Sequence, residues 1–131
     1  MFSQLIGVWM YTGLIFQGQP IAKPSPELVI YFQFINEFEN GLFYFRQDQR
    51  GFCQRQATYS VEGQLLKQKI ISTNSENADV CSADPDMQIG GVSQTRFEII
   101  NDQLYLYLNL GDDELIYVWS KAWSKAFNKV Q

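Results

Sequence analysis

Arg55 is the residue of this sequence best suited to hold another molecule. It lies in Phe52 to Val61, where Cys53, Arg55, Ala57, Tyr59 and Val61 alternate with Phe52, Gln54, Gln56, Thr58 and Ser60. The second set is polar after its first member, so in an extended strand the first set turns inward. An inward guanidinium must meet an anionic group, because an unpaired buried charge is costly. Guanidinium binds carboxylate bidentately and keeps its proton. One reading is a carboxylate held by Arg55 and the Tyr59 hydroxyl, with Phe and Leu side chains covering an apolar tail. The other places Arg55 near a rim, paired with an acid of the Glu76 to Asp86 loop.

Other chemistries find little support. The 131 residues include no His, which removes His-ligated zinc or haem, Ser-His-Asp and Cys-His catalysis, and any imidazole base. Glu37, Glu39, Asp112, Asp113 and Glu114 fall in expected turns, where acids need no catalytic explanation. Arg55, Tyr59 and Glu98 are all that an enzymatic reading could draw on. Asp79, Asp84 and Asp86 lack the spacing of a calcium loop, so no metal site and no cofactor is expected. A net charge of −4 argues against nucleic acid as a partner.

The elements that carry these residues are strands. Apolar residues recur with period two, and turn residues punctuate them: Leu5 to Phe16, Leu28 to Ile35, Leu42 to Arg46, Phe52 to Val61, Gln64 to Thr73, Val92 to Ile100, Gln103 to Leu110 and Glu114 to Ser120. Gly18 to Pro26 reads as a loop, and Asn40-Gly41 as a hairpin turn. Trp123, Phe127 and Val130 then share one helical face, beside a stripe of Lys121, Lys125 and Lys129, which predicts a short amphipathic helix over about 121–130. Residues 1–131 form one domain. Met1 to Ala22 is uncharged but lacks the basic start of a signal peptide, and no segment has the ~20 apolar residues of a spanning helix.

Eight short-linked antiparallel strands leave two open edges, which closure into an up-and-down barrel removes. A two-layer sandwich is the rival arrangement. With Gly7-Val8-Trp9 on the first strand, the eight-strand meander and the terminal helix, the chain resembles a lipocalin-type (calycin) barrel. In that superfamily the Gly-x-Trp tryptophan closes the base beside a basic residue near the end of the last strand. The resemblance implies those roles for Trp9 and Lys121.

In such a barrel, alternation turns Phe32 and Phe34, Phe43 and Phe45, Phe97, and Leu106 toward the lumen, joining Arg55 and Tyr59 as ligand-binding candidates. Small barrels are also filled by their own side chains, so a lined pocket and a solid core both stand. Cys53 and Cys81 are either two unrelated thiols or one disulfide. The hairpin register brings the loop after Thr73 out at the same barrel end as Cys53, which favours the bridge and an extracytoplasmic home. The expected function is non-enzymatic binding of a small apolar or amphipathic ligand inside the barrel, an anionic one where Arg55 serves as its anchor. The alternatives are a protein-interaction module with a filled barrel, or a lipocalin-fold enzyme.

Overall fold

A computed structural model describes residues 4–23, 28–45 and 51–122. Nine strands follow one another: β1 (Gly7–Phe16), β2 (Gln19–Ala22), β3 (Val29–Phe34), β4 (Glu39–Phe45), β5 (Phe52–Glu62), β6 (Leu65–Thr73), β7 (Val92–Ile100), β8 (Gln103–Leu110) and β9 (Asp113–Ala122). All but β2 form a closed antiparallel barrel in sequence order, completed by the pairing of β9 with β1 from Val8↔Ala122 to Phe16↔Leu115. The closure satisfies both edges of the meander. Lys121 and Ala122 continue β9, and the remainder of the expected C-terminal helix lies outside the described residues.

Two expected turns come out differently. Gln17 and Gly18 both have positive φ, 51° and 77°, the geometry of a tight two-residue hairpin. Gln19–Ala22 therefore folds back on β1, from Phe16↔Gln19 to Gly13↔Ala22, and fills the β1 edge beyond the reach of β3. The second difference lies between β3 and β4. The chain turns at residues 35–38, where the Asn36 Oδ1 accepts from the backbone N–H groups of Phe38 and Glu39. Asn40 and Gly41 consequently belong to β4, opposite Phe34 and Gln33.

That turn fixes the phase of β4. Phe32 and Phe34 are buried and pair with Leu42 and Asn40, so Asn40, Leu42 and Tyr44 point inward. Phe43 and Phe45 point outward, contrary to the expectation for them. There Phe43 stacks on Phe52 with ring centroids 5.3 Å apart, and Phe45 meets its edge at 5.0 Å.

The base of the barrel is solid. Leu5, Trp9, Phe34, Leu66 and Leu104 are fully buried there, and the Trp9 indole donates to the Leu5 carbonyl at 2.9 Å. Lys121 Nζ lies 4.7 Å from the Trp9 ring and donates to the Ile6 carbonyl at 2.7 Å. The lysine stem explains why glycine precedes: Gly7 has φ 136°, and a Cβ there would come within 2.8 Å of the Lys121 Cε. Gly7→Ala is expected to lower stability by about 1–2 kcal/mol, read as a lower urea midpoint; an unchanged midpoint would contradict the role given to Gly7.

Candidate functional site

The barrel is filled at one end and hollow at the other. Above the aromatic base lies a cavity of about 850 Å³, within the range of small-molecule sites. Its walls alternate out of several strands: Tyr11 and Leu14 from β1, Ile30 and Phe32 from β3, Leu106 and Leu108 from β8, Tyr117 and Trp119 from β9. The β3, β8 and β9 pairs are spaced by two residues, the pleat that turns every second side chain inward, whereas Tyr11 and Leu14 are three apart because the register of β1 shifts between Tyr11 and Gly13. Trp119 packs at 5.5 Å from Phe32 and 5.6 Å from Tyr11, both measured between ring centroids.

Arg55 stands in this apolar wall. It is 6% exposed, with its Cζ 5.5 Å from the Phe32 ring centroid. Its Nη1 donates to the Asn40 Oδ1 at 2.7 Å, and Nε is buried without a partner. Thus one of the five N–H donors of the guanidinium is used by a described residue. Burial pulls its pKa down to about 10, partly opposed by the charge of Asp86, which leaves it cationic at neutral pH. Among the described residues no carboxylate reaches ion-pair distance of it, so the alternative of a structural pair with the Glu76 to Asp86 loop is not realised as a contact.

That loop closes over the mouth. Asn74 N–H donates to the Gln54 carbonyl at 3.0 Å and Ala78 N–H to that of Phe52 at 3.0 Å, while the Asn77 side chain bonds both backbone groups of Gln54. The segment is thereby zipped along the top of β5. Cys81 is then bonded to Cys53 in a disulfide with Cα atoms 5.6 Å apart. Short turns at Asp79–Ala83 and Pro85–Met87 follow, with Met87 buried. The far end is fixed to β6, where Ile70 exchanges hydrogen bonds with Gly90 and Gly91 at 2.8 and 2.9 Å. Asp84, Pro85 and Asp86 are thus delivered to the cavity's rim, where the Tyr44 hydroxyl donates to the Asp84 carboxylate.

Burial, then the neighbouring Asp84, pushes the Asp86 carboxyl above the usual carboxylate range, against the pull of Arg55. A carboxyl raised by folding favours its protonated form in the native state. The cost of its charge is therefore present at neutral pH and disappears as pH falls through its titration. Asp86→Asn, which removes that cost, is accordingly expected to raise the urea midpoint at pH 7 and to leave it little changed at pH 3; an unchanged midpoint at pH 7 would contradict the strain assigned to this carboxylate.

The expected site residues divide by height in the barrel. Arg55, Phe32 and Leu106 line the cavity. Phe34 and Tyr59 face inward but belong to the base, with ring centroids 5.0 Å apart. The Tyr59 hydroxyl donates to the Asn36 carbonyl at the β3–β4 turn and does not join Arg55. Phe97 packs against the core below the cavity, because β7 runs from the mouth toward the base. Phe43 and Phe45 are outside. The alternation alone did not single out Tyr44, Trp119, Asn40 or Gln68. Asn40 carried a signal, as a buried amide between apolar strand positions, but its Asn-Gly pairing reads as a turn.

A closed eight-strand antiparallel meander with a Gly-x-Trp tryptophan and a lysine at its base defines the lipocalin-like, calycin type of barrel, and this is the fold of the chain. No protein-family profile matches the sequence, and no curated protein does. Among solved structures, a lipocalin-like protein from Bacteroides uniformis aligns with a TM-score of 0.63 and 16% identity, over 91% of this chain and 99% of that one. A variant of the fluorescent protein UnaG aligns with a TM-score of 0.50 and 9% identity, over 95% of this chain and 100% of that one. At such identities the likeness is one of fold.

Proposed function

We propose that this protein binds an amphipathic anion, with the charged group on Arg55 and the apolar part against Phe32, Leu106 and Trp119, and that it acts by sequestration without chemistry. The observation that carries the reading is a buried guanidinium, mostly unpaired, in the wall of a cavity of about 850 Å³. Burying such a cation is unfavourable unless something accepts its N–H groups, and an incoming carboxylate or sulfate does so. The apolar walls supply the remaining affinity by desolvating a chain of methylenes, each worth about 0.8 kcal/mol when fully buried. The disulfide supports an oxidising compartment as the place of action.

Native mass spectrometry of protein purified without refolding tests the proposal. The expected result is an added mass that leaves on denaturation and is identified as an anion with an apolar chain. Protein that is empty and also takes up no added dodecanoate would contradict it.

A further inference from the structure

The polar groups beside Arg55 form a relay whose direction is set by chemistry. Arg55 has only donors, so the Asn40 side chain must present its carbonyl oxygen to it, at 2.7 Å. The Asn40 amide nitrogen then faces the other way and donates to the Gln68 Oε1 at 2.8 Å. Asn40 is wholly buried, so it has no water with which to reverse the arrangement. With its oxygen committed, Gln68 turns its Nε2 amide hydrogens away from Asn40. Gln68 faces the lumen through its pairing with Tyr59 and lines the same cavity as Arg55. Its Nε2 donates to no described residue. The relay therefore presents hydrogen-bond donors at both extremities, while each amide oxygen already accepts one bond inside it.

We infer that Gln68 is a second ligand-binding donor, that Asn40 is the residue positioning both it and Arg55, and that the site takes an oxyanion with at least two acceptor oxygens, one for each end of the relay. The inference rests on the proposed binding of an amphipathic anion and adds to it the recognition of the headgroup. A carboxylate and a sulfate monoester share this chemistry. A primary alcohol of equal chain length does not, since its single hydroxyl cannot satisfy two separated donors as a charged acceptor does.

The test uses the intact protein with dodecanoate, dodecyl sulfate below its micellar concentration, and dodecanol. In nitrogen-15 NMR spectra, saturation with dodecanoate is expected to move the Gln68 side-chain amide protons downfield, and dodecanol to leave them in place. A larger shift with dodecyl sulfate than with dodecanoate would assign the site to sulfate esters, and the reverse to carboxylates. Gln68→Met should lower affinity for the preferred anion by roughly tenfold, the loss of one hydrogen bond to a charged group, and leave dodecanol binding unchanged. A Gln68 amide that stays unmoved at saturation, with dodecanoate still bound and the Arg55 N–H signals shifted, would overturn the role of Gln68 and leave the anion-binding reading intact. Absence of anion binding altogether would overturn both.

Discussion

Replacing Arg55 by Met is expected to weaken binding of dodecanoate by roughly a hundredfold and to leave binding of dodecanol within about twofold. The two effects separate because they arise from different parts of the cavity. The headgroup loses a charge-assisted partner in a site from which water is largely excluded, where such bonds count most. The chain keeps its contacts with Phe32, Leu106 and Trp119, because Met occupies a similar volume and stays apolar. Stability should change by no more than about 1 kcal/mol. Removing a desolvated cation is favourable, and this offsets the loss of the donor that Asn40 now receives at 2.7 Å. A merely structural arginine would give the opposite pattern: a lower unfolding midpoint with the preference for anions over alcohols retained.

The second large effect concerns the strap over the mouth. Joining residues 28 apart in sequence restricts the unfolded chain by about 3.5 kcal/mol in the chain-entropy view. The paired substitution Cys53→Ala and Cys81→Ala should therefore lower the melting temperature by on the order of 10 °C. Alanine suits the test because both cysteines are buried, at 4% and 3% exposure, and it introduces no unpaired polar group. The bridge also holds the strap at its β5 end, while the backbone bonds of Ile70 hold the end at β6. Bound dodecanoate should accordingly dissociate faster from the variant, with a smaller change in its rate of entry. Melting temperature by calorimetry and dissociation by stopped-flow displacement read the two consequences separately. An unchanged melting temperature would contradict the stabilising role of the bridge.

The architecture was legible in the sequence because its signals repeat. Eight alternating apolar segments separated by turn residues leave few ways to hide strand edges, and the inward face of Phe52 to Val61 was marked by the polar face opposite it. Cys53 and Cys81 followed from which end of a hairpin each must occupy. The structure departs from that pattern at single turns. A two-residue turn at Asn40-Gly41 would pair even-numbered β3 positions with odd-numbered β4 positions and bring Phe43 and Phe45 inside. The turn at residues 35–38 instead pairs Phe32 with Leu42, and every β4 side chain changes face. The decisive group there is the Asn36 side chain, whose oxygen accepts two backbone N–H groups, a competition that apolar patterning does not register.

Depth in the barrel was the other hidden quantity. Alternation places Phe34, Tyr59 and Phe97 on the inner face, but only the stagger of neighbouring strands says which of them reach the cavity and which fill the base. The same limit applied to the aromatic content as a whole. Part of it packs the closed end around Trp9 and Phe34, part lines the open end through Phe32 and Trp119, and Phe43, Phe45 and Phe52 lie on the outer surface. Pocket wall and solid core coexist in one barrel at different heights.

A buried cation should make this cavity select anions. The most direct measurement is calorimetric titration of the unaltered protein at pH 7 with dodecanoate and with dodecanol, whose chains are equal and whose headgroups differ in charge. Dodecanoate is expected to bind at least tenfold more tightly, with an enthalpic advantage from the headgroup. Equal affinity for the two would contradict it, since Arg55 would then contribute nothing to what the barrel holds.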